Sequence, residues 1–159
     1  FSFSTDGKQV LFVDQTDKKT VNIVQLADQK LLFSLKGYSW EFVAAVFSPK
    51  GDKVLTATDD GKLRLWDLAT AKPILTLAAN GNIVVNQIAI SADGNKAISV
   101  GIDHSILYWD LKTGERLAQL SGHTELVNTI TFADHDRKIV SGGHDKTIKV
   151  WDISKTNLE

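Results

Sequence analysis

Three residues near the end of the chain, His123, Ser141 and Asp145, are the residue types that serine hydrolases use. In such enzymes the imidazole takes the proton of the serine hydroxyl, and the carboxylate orients the imidazole. The hydroxyl must also be exposed, usually on a strained turn beside an oxyanion hole. Ser141 instead lies inside the apolar run IVSGG, which is typical of a strand. We therefore predict that the chain is not an enzyme, and we keep hydrolysis by Ser141 and His123 as an alternative.

The other polar residues do not predict a metal or cofactor site. The four histidines show no metal-ligand spacing, and the chain has no cysteine to complete a ligand set. The segment Asp134-His135-Asp136 is typical of a solvated turn. We therefore expect neither a metal nor a cofactor.

A repeat of 42 or 43 residues sets the positions of these side chains. Trp-Asp pairs stand at Trp66-Asp67, Trp109-Asp110 and Trp151-Asp152. Each pair follows two short apolar runs that are separated by a polar turn, as in VLTATDDGKLRLWDL, and such runs are typical of strands joined by hairpins. A divergent copy opens the chain between Phe3 and Leu26, with Val24 at the tryptophan position. Since helical periodicity is absent, the pattern predicts an all-β fold.

This pattern resembles the WD-repeat β-propeller family over nearly the whole chain. The best match is residues 117–153, where Gly122-His123 supplies the Gly-His dipeptide of the family and Trp151-Asp152 closes the repeat. In that family each blade is a four-stranded antiparallel sheet, and the blades are arranged radially. The resemblance implies an all-β propeller with blades of this kind.

The resemblance also implies a structural role for the hydrolase-like residues. In the family, the matching positions form a hydrogen-bonded chain of tryptophan, hydroxyl, imidazole and carboxylate, here Trp151, Ser141, His123 and Asp145. Buried polar groups of this kind must be paired or they destabilise the fold. Repeats two and three lack the histidine, because that position holds Tyr38 and Gly81. The further expected members of the network are Thr56, Asp60, Trp66, Ser99, Asp103 and Trp109.

Four blades are expected, as one propeller domain or a piece of one. Residues 1–35 form a divergent first blade with a truncated inner strand, 36–77 the second, 78–120 the third, and 121–159 a fourth that lacks its outer strand. Closed propellers have about four to eight blades, and the chain contains no methionine. We therefore expect a partial or open ring, either a piece of a larger propeller or a half-ring that pairs with a second copy.

Charge and repeat architecture limit the class of partner. The chain has 18 basic and 19 acidic residues, and because this balance gives no excess of positive charge we expect no nucleic-acid partner. Its apolar runs are too short to span a bilayer, so we expect no membrane insertion. Terminal blades without a neighbour expose apolar surface, which predicts self-association of the isolated chain.

The loops near His123 and Asp145 should lie on one face of the disc, where recognition usually occurs on a rigid scaffold. Trp40 is notable because the other three tryptophans occupy the repeat position. An exposed Trp40 would suit a protein interface, although packing against a neighbouring blade or loop explains it equally well. The residues predicted to contact a partner are Tyr38, Trp40, Glu41, Asp59, Asn82, His104, Glu125 and His144.

These observations predict a non-catalytic scaffold that binds a protein or a peptide through this loop face. The alternative is a regulatory or sensing propeller module of a larger effector or enzyme, whose other domains lie outside this chain.

Overall fold

The computed structural model of the protein describes residues 1–37, 39–78 and 84–154. Fifteen strands in these ranges form four sheets, which we call blades 1 to 4. Blade 1 contains β1 (Ser2–Phe3), β2 (Gln9–Val13), β3 (Thr20–Gln25) and β4 (Leu31–Lys36). Blade 2 contains β5 (Phe42–Phe47), β6 (Lys53–Thr58), β7 (Lys62–Asp67) and β8 (Lys72–Ala78). Blade 3 contains β9 (Val85–Ile90), β10 (Lys96–Gly101), β11 (Ile106–Asp110) and β12 (Arg116–Leu120). Blade 4 contains β13 (Val127–Ala133), β14 (Lys138–Gly143) and β15 (Ile148–Asp152).

Each blade is an antiparallel sheet whose strands pair in chain order. This arrangement places consecutive strands in hairpins, as the turn residues between the apolar runs require. The predicted fold class, an all-β propeller of antiparallel blades in an open ring, is confirmed. None of the described segments forms a helix that is long and apolar enough to cross a membrane.

The apolar cores lie between successive blades. Along β6, Val54 packs into the cluster shared with blade 1, while the next residue, Leu55, packs into the cluster shared with blade 3. The same alternation occurs in β10, where Ala97 faces blade 2 and Ile98 faces blade 4. Because successive side chains of a strand point to opposite faces, the inner blades are apolar on both sides. Their strands therefore appear in the sequence as nearly continuous apolar runs.

The outward faces of blades 1 and 4 are different, because no described blade covers them. In β15, Ile148 is 79% exposed and Val150 is 61% exposed. In blade 1, Phe3 and Leu31 are also more than half exposed. These two faces carry apolar side chains of the kind that the inner blades bury.

Candidate functional site

Four side chains of blade 4 form one continuous chain of hydrogen bonds. The indole Nε1 of Trp151 donates to Oγ of Ser141 at 2.9 Å. His123 joins the next two groups, since its Nε2 lies 2.8 Å from Ser141 Oγ and its Nδ1 lies 2.8 Å from Asp145 Oδ2. If the serine hydrogen points to Nε2 and the ring hydrogen is on Nδ1, every donor meets one acceptor. The chain links the loop before β13, strand β14, the β14–β15 turn and strand β15.

Asp145 is the most heavily bonded member of this chain. Its Oδ1 accepts hydrogen bonds from the Thr147 backbone N–H at 3.1 Å and from the Thr147 hydroxyl at 2.7 Å, while its Oδ2 accepts one from the Thr124 backbone N–H at 3.2 Å. Burial acts to raise the pKa of Asp145, but the hydrogen bonds from Thr147 and His123 outweigh it and lower the pKa well below its usual value. Asp145 is therefore an anion that fixes the turn and the loop together.

Two glycines give the network the space that it needs. A Cβ on Gly143 would lie 2.8 Å from His123 Nδ1, which is closer than real atoms approach. A Cβ on Gly122 would lie 3.1 Å from Cη2 of Trp151. The Gly-His dipeptide is therefore explained by packing, because a side chain on the first residue would press on the Trp151 ring, while the second residue supplies the imidazole of the network.

The arrangement does not present a nucleophile to a substrate. The His123 side chain has no exposed surface, and Ser141 is 1% exposed. Because Ser141 is buried, a reacting carbonyl cannot reach its oxygen, which also accepts the Trp151 N–H. What these groups do in this structure is hold four segments of one blade in register.

Blades 2 and 3 keep only half of this network. Trp66 Nε1 donates to Thr56 Oγ1 at 2.9 Å, and Trp109 Nε1 donates to Ser99 Oγ at 2.9 Å. These two pairs match the predicted positions. The residues that replace the histidine, Tyr38 and Gly81, lie outside the described residues.

The acidic positions of blades 2 and 3 differ from the sequence expectation. Asp60 bonds with Thr58 at 2.5 Å and with Arg64 at 2.6 Å, rather than with the Thr56–Trp66 pair. Asp103 accepts a hydrogen bond from the Ser105 hydroxyl at 2.7 Å, within its own turn. The physical reason is that, among the described residues, no imidazole spans the gap between the carboxylate and the strand hydroxyl.

Arg64 joins the polar contacts of blade 2, although the sequence pattern did not predict it as a member. Its side chain is 7% exposed, and its guanidinium binds Asp60 and lies over the Trp40 ring, with Cζ 3.8 Å from the ring centroid. Burial acts to raise the pKa of Asp60, but the bonds from Arg64 and Thr58 lower it to about 2. A signal was available, because an arginine inside an apolar strand is seldom buried without a partner, and Asp60 stands four residues earlier.

Trp40 lies in the loop before β5 and is half-buried. Its indole lies against Gly37, where an added Cβ would lie 2.8 Å from Trp40 Nε1, and the Arg64 guanidinium lies over its ring. Nε1 is buried, and within the described part of the chain it has no hydrogen-bond partner. The ring is therefore held by packing and by the guanidinium, while part of it remains open to solvent.

Two other predicted binding residues, Glu41 and Asp59, form a pair at the same end of blade 2. The Glu41 backbone N–H donates to Asp59 Oδ1 at 2.8 Å, and the Asp59 backbone N–H donates to the Glu41 carbonyl at 2.9 Å. Both residues line a groove of about 550 Å³ between blades 1 and 2. We call it the loop-side groove; its lining includes Phe1, Phe12, Lys18, Glu41, Val43 and Asp59.

The remaining predicted binding residues are distributed over blades 3 and 4. In blade 4, the His144 backbone N–H donates to the Leu126 carbonyl at 2.8 Å, which places exposed Glu125 and His144 at one end of the sheet. In blade 3, His104 is half-buried and has a left-handed backbone with φ of 63°. Tyr38 and Asn82 lie outside the described residues.

The sequence pattern of the family described as "WD domain, G-beta repeat" matches residues 29–67, 71–110 and 114–152. The chain therefore belongs to this family. Each matched repeat starts before or at the outer strand of one blade and ends with the third strand of the next, so the sequence repeat and the blade are offset by one strand.

Curated relatives share this repeat region. The chain is 32% identical over 154 residues to nuclear distribution protein PAC1 of Arthroderma otae, covering 91% of this chain and 33% of that protein. It is 29% identical over 126 residues to mouse pre-mRNA-processing factor 17, covering 79% of this chain and 22% of that protein. It is 28% identical over 130 residues to the DENN domain and WD repeat-containing protein SCD1 of Arabidopsis thaliana, covering 82% of this chain and 11% of that protein.

Proposed function

We propose that the chain is a non-catalytic scaffold that binds a protein or a peptide through the loop-side groove. The observation that carries this proposal is the groove itself, whose volume of about 550 Å³ combines exposed apolar side chains with a polar rim. Phe12 and Val43 are each more than a third exposed in it. Sites that bind ligands are typically concave and mostly apolar, with a few polar groups that fix orientation.

The rim of the loop-side groove favours a partner with an apolar side chain beside a basic group. The Asp59 carboxylate is already held by a hydrogen bond from the Glu41 backbone N–H. It therefore loses little conformational entropy when a partner binds. Glu41 makes only a long contact with Lys18, at 4.0 Å between exposed groups, which contributes little to stability. A basic group of a partner can therefore replace Lys18 beside the Glu41 carboxylate.

Site-specific photocrosslinking in the full-length parent protein tests this proposal. A benzophenone side chain placed at Val43 should capture a discrete partner, because Val43 lies in the groove. The matched control is Leu26, whose exposure of 43% is close to the 40% of Val43. Leu26 directly follows the last residue of β3 and does not line the groove. Equal capture at the two positions, or none at Val43, would contradict the proposal.

A second candidate function is a regulatory or sensing module of a multidomain protein. The observation that favours it is length, since the chain spans only about a tenth to a third of the relatives described above. One of these relatives combines its WD repeats with a DENN domain, as its name states. The reading frame of the parent gene decides this point: a catalytic domain in the same frame supports the module, and a frame that encodes only repeats excludes it.

A further inference from the structure

A second groove lies on a different part of the molecule, where β4 of blade 1 meets β7 and β8 of blade 2. Its volume is about 280 Å³. We call it the edge groove, because both β4 and β8 are outermost strands of their sheets. Its lining includes Ser34, Lys36, Trp40, Arg64, Lys72 and Pro73.

The charge of the edge groove has one sign. Three of its lining residues are basic, and none is acidic. Arg64 is already neutralised by Asp60, but Lys36 and Lys72 make no ion pair within the described residues. Asp67 stands opposite Lys72 in the strand register, yet its carboxylate accepts hydrogen bonds from Thr70 instead. Two uncompensated ammonium groups therefore border the groove.

Rigid rings lie beside these charges. Trp40 is held by its contacts with Gly37 and Arg64, and Trp66 is held by its hydrogen bond to Thr56. Pro73 completes the apolar part of the lining. Rings that are already immobile lose little conformational entropy when a ligand packs on them. The groove thus offers a preformed apolar surface next to positive charge.

The backbone beside the groove suits an extended ligand. β4 is paired with β3 on one side only, so its other edge has no strand partner among the described strands. Free strand edges are places where a peptide adds as a further strand, with alternate side chains entering neighbouring pockets. Ser34 and Lys36, which line the groove, are alternate residues of this strand.

We propose that the edge groove binds an acidic, extended segment of a partner protein. Carboxylates of that segment meet Lys36 and Lys72, and an apolar side chain between them packs on Trp40 and Pro73. This site is separate from the loop-side groove, so it does not depend on the function proposed above.

The test uses the full-length parent protein and a fluorescein-labelled synthetic peptide of alternating glutamate and leucine, with binding followed by fluorescence polarisation. Lys36→Glu and Lys72→Glu should each weaken binding roughly tenfold or more, because each replaces an attractive contact with a repulsive one. Lys112→Glu makes the same charge change at an exposed position outside the groove and should leave the affinity within about twofold. A variant of the loop-side groove, Val43→Asp, should also retain binding.

Carbodiimide crosslinking gives a second readout, because it joins a bound carboxylate to the nearest amine. Mass spectrometry should locate the crosslinks at Lys36 and Lys72 and not at Lys112. Equal affinity of the wild-type and Lys72→Glu proteins would overturn the proposal, as would the absence of binding at the highest soluble peptide concentration. If a phosphoserine peptide binds and the glutamate peptide does not, the site recognises phosphate, and the proposal is also overturned.

Discussion

Blades 2 and 4 hold the same turn with different side chains. In blade 4, His123 reaches from the loop before the first strand to the Asp145 carboxylate in the turn. In blade 2, Arg64 reaches the Asp60 carboxylate from β7, and Trp40 of the loop stacks on the guanidinium. Both solutions connect a loop, a turn and a strand through a carboxylate whose pKa is lowered.

The difference teaches that the requirement is for a partner of the carboxylate, not for a particular residue. A buried carboxylate is costly unless donors surround it, and either an imidazole with backbone groups or a guanidinium supplies those donors. The histidine also bonds to the strand hydroxyl, so blade 4 has one continuous chain. In blade 2 the side chains form two pairs, Trp66–Thr56 and Arg64–Asp60, and the Thr56 hydroxyl reaches the second pair through the backbone carbonyl of Arg64 rather than through its side chain.

The two blades also differ in how their faces are covered. We expect this difference to have the largest effect of those considered, because it controls self-association of the chain. β7 of blade 2 is buried from Leu63 to Trp66, whereas β15 of blade 4 exposes Ile148 and Val150. We expect the isolated chain to self-associate through the exposed faces and Val150→Lys to weaken that association. Light scattering at micromolar concentration measures the effect, with Ile102→Lys as the control on an exposed turn residue. A monodisperse wild-type monomer would contradict this expectation.

Removing the guanidinium should give the largest loss of stability in blade 2. Arg64→Leu leaves the Asp60 carboxylate without its main partner and removes the contact with Trp40, so we expect the free energy of unfolding to fall by about 3 kcal/mol. Urea denaturation measures this change. Arg64→Lys keeps the charge but loses the forked geometry of the guanidinium. Its free energy of unfolding should therefore lie between those of the wild type and of Arg64→Leu. A loss below about 1 kcal/mol would show that the pair acts only as a surface ion pair.

Removing the strand hydroxyl should cost more in blade 4 than in blade 2. Ser141→Ala leaves both the Trp151 N–H and the His123 ring nitrogen unpaired, and we expect a loss of about 1 to 3 kcal/mol. Thr56→Val keeps the side-chain volume, leaves the Trp66 N–H unpaired and removes a long hydrogen bond of 3.3 Å from the Thr56 hydroxyl to the Arg64 backbone carbonyl, so about 1 kcal/mol is expected. Thermal unfolding of the two variants compares them directly. Equal losses would mean that the imidazole adds nothing to the tryptophan–hydroxyl pair.

Acid should weaken blade 2 through Asp60. The pKa of Asp60 is lowered in the folded protein from 3.8 to about 2, so its contribution to stability is present above about pH 4 and is lost as the pH falls toward 2. A shift of this size corresponds to about 2 kcal/mol. The measurement is the unfolding free energy of wild type and Asp60→Asn across this pH range. Their difference should shrink with acid, and a constant difference would exclude a role for the charge.

The fold was predictable because the 42- to 43-residue repeat fixes both strand positions and turns, and the family and fold class are confirmed. Aligning the repeats of this sequence with one another does not predict the partner of Asp60. The repeat places a carboxylate in the turn, but it does not show which side chain contacts that carboxylate. Arg64 does so from a strand position that is leucine in blade 3 and lysine in blade 4. Because Trp40 packs against that arginine, the repeat pattern could not predict the orientation of Trp40 either.

The offset between the sequence repeat and the blade affects how this chain unfolds. The match at residues 71–110 includes β8, which closes blade 2, together with β9 to β11 of blade 3. When this repeat unfolds, blade 3 loses three strands and blade 2 loses its outermost one, so no repeat can melt without damaging its neighbour. Amide hydrogens of adjacent blades should consequently exchange as one cooperative unit rather than blade by blade.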